Sequence, residues 1–216
     1  MKEQVKRILD FLALSERLKL ELRHSWLSNG RQESVAEHSW QMALMALLMY
    51  RHLEHPVDIA KTLKLILVHD LVEAEVGDVP FFDTGERKRL KAAREQQAIE
   101  RIRAALDPAT GQEIYGLWQE YEAKATAEAR FATALDHLEV QVQHNLADLA
   151  TWEPIEYDLV YTKMDGPCAV DPFLAAFCAA VKEQAERKMR AGGTDPAVVT
   201  RRLAAAAGGQ WPPSAT

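Results

Sequence analysis

The sequence predicts an all-α protein, a single-domain helical bundle, and three observations support this prediction. Apolar residues recur at three- and four-residue spacing through most of the chain, which is the period of an α-helix. Three Asp-Pro pairs each place a capping side chain before a proline at the first helical position. They are Asp107-Pro108, Asp171-Pro172 and Asp195-Pro196. No two segments show the alternation expected of neighbouring strands, and 216 residues suffice for one core.

The first helix is predicted over residues 3–14, where apolar side chains recur at helical spacing. They are Val5, Ile8, Leu9 and Leu12. Residues 24–33 hold Ser, Asn and Gly and are predicted as a loop. A capping box formed by Ser34 and Glu37 then starts a helix that runs to about Arg51, because each side chain can satisfy a backbone N–H at the helix start.

The middle of the chain is predicted as further helices joined by one turn-rich loop. Pro56 starts a helix that ends near Glu73. Residues 77–85 contain Gly, Pro and Asp and form the loop. Residues 86–106 follow as a charged amphipathic helix, and residues 127–150 form one long helix.

The remaining helices start at the prolines of the three Asp-Pro pairs, at about residues 108, 172 and 196. Residues 153–167 are predicted as a less regular connection. We assign residues 1–190 to the functional domain and residues 191–216 to a short C-terminal helix and a flexible tail. The tail begins at about Ala204, where small residues and glycine replace the helical pattern.

Composition is typical of a soluble globular protein, with 48% hydrophobic and 27% charged residues. A net charge of -6 disfavours general binding to nucleic acid, because phosphate backbones are bound mainly by cations. No apolar run approaches the roughly 18 residues that cross a bilayer, and no signal-peptide stretch opens the chain, so no membrane partner is expected. The two cysteines, Cys168 and Cys178, lack the spacing of metal-binding pairs, and we expect ordinary thiols in a reducing cytoplasm.

Four side chains form the strongest functional pattern in the sequence. They are His38, His69, Asp70 and Asp136. Each projects from the apolar side of a helical segment, where charged carboxylates are rare unless they are paired or bind a metal. Two imidazoles and two carboxylates are a mixed nitrogen and oxygen ligand set for a divalent transition metal. They can converge if three helices pack around one point, as in the metal sites of helical bundles.

The local sequence around these residues resembles the HD-domain phosphohydrolases, and in particular their 5′-deoxynucleotidase branch. The motif residues that carry the resemblance occur in a fixed order. They are Glu37-His38-Ser39, His69-Asp70, Glu73, Gly77-Asp78 and Asp136. The resemblance covers roughly residues 5–185 and implies a helical HD domain that binds one metal ion through the four side chains above. It also implies a small nucleotide as substrate and a homodimer.

The resemblance further implies roles for residues around the metal. Glu73 sits beside the attacking water as general acid or base, and Asp78 contacts the sugar on its 3′ side. Arg23 and Trp26, from the segment before the first ligand, contact the phosphate and the sugar, with Arg31 as a competing phosphate ligand. The position of Glu73 supports its role independently, because it lies one helical turn beyond the second histidine and therefore on the ligand face.

Other ionisable residues have structural interpretations. His137 and His144 are predicted to be structural, because His137 points about 100° around the helix from Asp136. No histidine lies between His69 and His137, which favours one metal ion over two. Residues 86–103 are predicted to be a solvated face. Three cations of this segment are candidates for contacting substrate phosphate in a partner subunit: Lys88, Lys91 and Arg94.

These features predict hydrolysis of a phosphomonoester, a (deoxy)ribonucleoside 5′-monophosphate, to a nucleoside and phosphate. The cofactor is one divalent transition metal, Mn, Co, Fe, Ni or Zn. Two alternatives stay open. The same site can act on another nucleotide phosphoester or a triphosphate, or the chain can bind a nucleotide around a structural metal without hydrolysing it. Glu73 and Asp78 argue against a binding protein, because a structural metal site needs neither.

Overall fold

The predicted all-α fold is confirmed by the computed structural model, which describes residues 1–208. Eleven α-helices, three short 3-10 helices and one small two-stranded sheet are the regular elements of the described part of the chain. The helices are α1 (Lys2–Ser15), α2 (Val35–Met49), α3 (Ile59–Val68), α4 (Glu73–Val76), α5 (Glu86–Ala105), α6 (Pro108–Ala123), α7 (Ala127–Leu146), α8 (Pro154–Thr162), α9 (Asp165–Cys168), α10 (Pro172–Ala191) and α11 (Pro196–Ala206). The strands are β1 (Leu22–Trp26) and β2 (Gln32–Ser34).

Side-chain caps explain where the helices begin. In each of three Asp-Pro pairs, the aspartate accepts a hydrogen bond from a backbone N–H of the first helical turn, as predicted. At the start of α2, Ser34 and Glu37 form the predicted capping box. Residues 204–206 belong to α11 rather than to a tail, and residues 209–216 of the predicted flexible tail lie outside the described residues.

The prediction of a loop over residues 24–33 without paired strands was wrong. Strands β1 and β2 form an antiparallel hairpin, in which Leu22 pairs with Ser34 and Trp26 pairs with Gln32. Gly30 takes a positive φ of 83° in the turn. The hairpin escapes detection because the side chains on its inner face include Arg23 and Glu33, so the sequence shows no apolar alternation.

The helix predicted from Pro56 to about Glu73 is shorter at both ends. It begins at Ile59, because the Asp58 carboxylate accepts hydrogen bonds from the N–H groups of residues 60 and 61. It ends at Val68, where the ring of His69 donates from Nδ1 to the carbonyl oxygen of Ile66 at 2.7 Å. That carbonyl would otherwise accept from the backbone of residue 70. The motif residues His69 and Asp70 therefore lie in a tight turn rather than on the helix.

Other boundaries also differ from prediction. Residues 153–167 contain helices α8 and α9 rather than an irregular connection. Pro154 stands at the first position of α8, and the Glu156 carboxylate accepts a hydrogen bond from the N–H of Glu153 at 2.7 Å. The helices predicted to reach residues 51 and 150 end at Met49 and Leu146, and a 3-10 turn follows each.

The main core lies where α2, α3 and α10 pack around α7. Its fully buried members include Met42, Leu65, Phe131, Leu135 and Leu138. This packing brings the middle of α7 beside the first turn of α2 and the end of α3. Both cysteines are buried and free. Within residues 1–208, no helix combines the length and apolarity that crossing a bilayer requires.

Candidate metal centre

Four side chains predicted as metal ligands meet where α2, α3 and α7 converge. His38 Nε2 lies 3.2 Å from Asp136 Oδ1 and 3.9 Å from Asp70 Oδ2. His69 Nε2 lies 3.1 Å from Asp70 Oδ2. Both histidines are buried, and His69, Asp70 and Asp136 border a cavity. The structure therefore places two imidazoles and two carboxylates around one point.

The donor set fits a divalent transition metal. His38 and His69 each direct Nδ1 to a protein oxygen, at 2.5 Å from Glu139 Oε2 and 2.7 Å from the Ile66 carbonyl. Their Nε2 atoms are buried and have no hydrogen-bond partner. Buried polar atoms without a partner are costly, and a metal ion on the carboxylate side would satisfy both. One ligand atom each of His38, His69 and Asp136 lies within 4.8 Å of the others.

Two buried glutamates that the sequence analysis missed lie behind His38. Glu139 is fully buried on α7, and Glu33 is 2% exposed at the end of the hairpin. Burial, together with the charge of Glu139, raises the pKa of Glu33 to about 8. The sequence contains a signal for Glu139, because it follows the ligand Asp136 by three residues on the same helix and so faces the same way.

Arg23 lies in the cavity, but Trp26 and Arg31, which were also proposed for contacts to the sugar and the phosphate, do not. The Arg23 guanidinium donates from Nη1 to Asp70 Oδ2 at 3.3 Å. Trp26 lies outside the cavity lining, and its carbonyl oxygen accepts a hydrogen bond from Gln143. Arg31 forms an exposed ion pair with Glu37 at 2.6 Å. The structure thus brings Arg23, and neither Trp26 nor Arg31, to the candidate centre.

The cavity beside the four ligands has a volume of about 720 Å³, and both Glu73 and Asp78 line it. Glu73 is 4% exposed, and its Oε2 has no hydrogen-bond partner. Burial and the charges of Asp70 and Asp78 raise the pKa of Glu73 well above its usual range. Burial also raises the pKa of Asp78, whose backbone N–H donates to Glu21 Oε1 at 2.9 Å.

The basic residues of α5 contribute to the cavity of their own chain, not only to a solvated face as predicted. Lys88 and Lys91 both line it, whereas Arg94 does not. Lys91 lies 3.3 Å from Glu95. Lys88 Nζ lies 5.0 Å and Lys163 Nζ 2.7 Å from the ring centre of Phe81. The cations therefore stand close enough to meet a substrate anion without a partner subunit.

His137 and His144, predicted to be structural, also line the cavity. Burial lowers the pKa of His144 to about 4 and raises the pKa of its neighbour Glu156 to about 7. His144 Nε2 lies 3.6 Å from Glu156 Oε1. Tyr121, which the sequence analysis also missed, donates its hydroxyl hydrogen to Asp136 Oδ2 at 2.9 Å. Its signal in the sequence is weak, because α6 carries none of the four candidate metal ligands.

The chain is similar to several known proteins. A family profile described as "HD domain" matches residues 15–167. The zebrafish (Danio rerio) protein named 5′-deoxynucleotidase HDDC2 is 31% identical over 188 residues, which are 86% of this chain and 92% of that protein. The human (Homo sapiens) protein of the same name is 35% identical over 138 residues, 63% of this chain and 66% of that protein.

A solved structure is similar over most of the molecule. It is described as a predicted metal-dependent phosphohydrolase from Magnetospirillum magnetotacticum MS-1. Its TM-score is 0.69 at 29% sequence identity, and the match covers 90% of this chain and 97% of that chain.

Proposed function

The chain belongs to the HD domain family, and from this membership we propose that it is a metal-dependent 5′-deoxynucleotidase. It hydrolyses a (deoxy)ribonucleoside 5′-monophosphate to a nucleoside and inorganic phosphate. The observation that carries the proposal is the convergence of two histidines and two aspartates beside a cavity that also holds Glu73, Asp78 and Arg23. Curated relatives named 5′-deoxynucleotidase support the substrate class.

His38, His69, Asp70 and Asp136 would hold one divalent ion, and candidates are Mn, Co, Fe, Ni and Zn. When bound, such an ion lowers the pKa of water toward 7 and neutralises charge on phosphoryl oxygens. We favour a single ion because no histidine that could bind a second one lies between His69 and His137 in the sequence. Tyr121 holds Asp136 in place through its hydroxyl group.

Three residues of the cavity have separate roles in the proposed reaction. Arg23 binds the phosphate and stabilises the charge that develops on it, because its guanidinium lies next to Asp70 at the cavity wall. Glu73 accepts the proton of the attacking water and returns it to the 5′-oxygen as the P–O5′ bond breaks. The raised pKa of Glu73 makes its carboxylate a stronger base for the first of these steps. Asp78 accepts a hydrogen bond from the sugar.

The homodimer implied by family resemblance has a candidate interface on α2. Four apolar side chains form one exposed stripe on this helix. They are Trp40 (65% exposed), Leu44 (37%), Leu47 (52%) and Leu48 (65%). Their spacing of four, three and one residues places them on one face. Contiguous exposed apolar surface of this kind marks protein interfaces, and we assign it to a second copy of the chain.

One observation favours a second candidate, hydrolysis of a nucleoside triphosphate at the same site. Lys88, Lys124 and Lys163 line the cavity, and none of the three forms an ion pair within residues 1–208. Burial and the charges of the other two lysines lower the pKa of Lys163, which indicates that they lie close together. Such a group of cations would also suit additional phosphates.

Phosphate release from a panel of ribo- and deoxyribonucleoside 5′-mono- and triphosphates tests both candidates. The protein is stripped of metal and assayed before and after addition of Mn²⁺ or Co²⁺, beside an Asp70→Ala variant. Metal-dependent release of orthophosphate from deoxynucleoside monophosphates, absent in the variant, supports the proposal. Release of tripolyphosphate or pyrophosphate from triphosphates alone supports the second candidate. Metal binding without turnover of any nucleotide refutes both and indicates a binding protein.

A further inference from the structure

A pair of buried glutamates stands behind His38, on the side of its ring away from the cavity. Glu139 Oε2 lies 2.5 Å from His38 Nδ1, and Glu139 has no exposed surface. One carboxylate oxygen of Glu33 lies within 4.8 Å of a ring nitrogen of His38 and of a carboxylate oxygen of Glu139. Glu139 Oε1 and Glu33 Oε2 have no hydrogen-bond partner. Burial of two neighbouring carboxylates is costly, so their presence calls for a role beyond packing.

We propose that Glu139 is a positioning residue for His38 and that Glu33 connects Glu139 to Arg23. Together they join one metal ligand to the residue that binds the phosphate. The role of Glu139 requires only that the four candidate ligands bind a metal. The role of Glu33 rests on the proposed function, because it concerns the phosphate contact of Arg23.

The geometry of His38 supports the first step. A histidine that binds a metal through one ring nitrogen is oriented by the hydrogen bond that the other nitrogen donates. Donation from Nδ1 to Glu139 leaves Nε2 directed at Asp136, 3.2 Å away. The negative charge of Glu139 also makes the imidazole a stronger donor to a cation. Since His38 is buried, solvent cannot replace this acceptor.

The surroundings of Arg23 support the second step. Its Nε lies 3.7 Å from Glu33 Oε2, while its Nη1 donates to Asp70 Oδ2 at 3.3 Å. The guanidinium is therefore held between a candidate metal ligand and the buried glutamate pair, and it still borders the cavity. Glu33 lies on β2 and Arg23 on β1, so the hairpin positions both residues beside the candidate metal centre.

Glu139→Asp and Glu139→Gln test the positioning role without an activity assay. Binding of Co²⁺ to metal-stripped protein is measured by calorimetry, together with the visible absorption bands of the bound Co²⁺. Glu139→Asp withdraws the carboxylate, and we expect metal binding to weaken about 10- to 100-fold with altered bands. Glu139→Gln keeps an amide oxygen as hydrogen-bond acceptor, so we expect this variant to lose less affinity for Co²⁺.

The control is Glu156→Gln, the same substitution at a cavity glutamate that is 3% exposed and contacts His24 and His144 rather than His38. We expect it to leave the Kd for Co²⁺ and the absorption bands unchanged. Unchanged Co²⁺ affinity and spectrum in both Glu139 variants would overturn the proposal. A wild-type stoichiometry of two ions, reduced to one by Glu139→Gln, would overturn it too, since the glutamates would then form a second cation site.

Glu33→Gln tests the connection to Arg23. We expect KM for a deoxynucleoside monophosphate to rise about 10-fold, with the Kd for Co²⁺ changed less than in Glu139→Asp. If the wild-type protein hydrolyses no nucleotide, the proposed function fails, and binding of inorganic phosphate to the Co²⁺-loaded protein replaces KM as the measurement. Weaker Co²⁺ binding with unchanged KM or phosphate affinity would show that Glu33 has no connection to the phosphate site.

Discussion

Arg23 on β1 donates a hydrogen bond to Asp70 at 3.3 Å, across 47 positions of sequence. This contact joins the only sheet of the described residues to the turn that carries two candidate metal ligands. A phosphate group in the cavity would bind the same guanidinium. Arg23 would then contact both the substrate phosphate and the candidate metal ligand Asp70.

We expect Arg23→Met to lower kcat/KM about 10- to 100-fold, because one charge-assisted contact to the phosphate is lost. Steady-state kinetics with a deoxynucleoside monophosphate measures this change. Arg31→Met is the control, since Arg31 pairs with Glu37 on the surface. Equal effects of both substitutions would contradict the assignment of Arg23.

Glu73→Gln should lower kcat about 10²- to 10⁴-fold, because the amide cannot carry a proton between the attacking water and the 5′-oxygen. The Kd for Co²⁺ should stay close to the wild-type value. Glu95→Gln, at a cavity glutamate paired with Lys91, provides the comparison. Retention of wild-type kcat in Glu73→Gln would remove Glu73 from the mechanism.

Glu156 should make the protein less stable as pH rises from about 5 to 7. Its pKa is about 7 in the folded protein and 4.5 in an ordinary environment, so the folded state binds more protons within this window. The free energy of unfolding therefore falls as pH rises through it and levels off above pH 7. The contribution is on the order of 3 kcal/mol.

Urea unfolding of wild type and Glu156→Gln at several pH values isolates this effect. The difference in free energy of unfolding between the two proteins should change by about 3 kcal/mol between pH 5 and 7.5. Glu183→Gln, at an exposed glutamate on α10, should follow the wild type throughout. A constant difference between wild type and Glu156→Gln would show that the raised pKa is absent.

Chelation of the metal should lower the thermal unfolding midpoint. An ion that binds only the folded state stabilises it by about 4 kcal/mol when its free concentration is 1,000 times the Kd. Differential scanning calorimetry with and without a chelator measures the shift. The unfolding midpoint of Asp70→Ala should change little when the chelator is added. An unchanged midpoint of the wild-type protein would argue against a tightly bound ion.

Leu48→Lys should dissociate the proposed homodimer, because it places a charge in the apolar stripe of α2. Light scattering after size exclusion should give about twice 24.3 kDa for the wild type and one chain mass for the variant. Leu67→Lys, on α3 and 71% exposed, is the matched control. A monomeric wild type would refute the dimer.

Helical periodicity and caps were sufficient to predict most helices, since α2, α5, α6 and α10 begin within one residue of their predicted starts. The hairpin was missed because Arg23 and Glu33 serve the site rather than an apolar core. For the same reason Glu139 was not distinguished from other helical glutamates. Its role depends on the distance to His38, which lies 101 positions away in the sequence.

The four candidate ligands span positions 38 to 136, and the last of them lies on the central helix α7. A nascent chain that has left the ribosome only as far as α6 carries three of these side chains but not the fourth. The candidate metal site is therefore complete only once α7 has been synthesised and packed against α2 and α3.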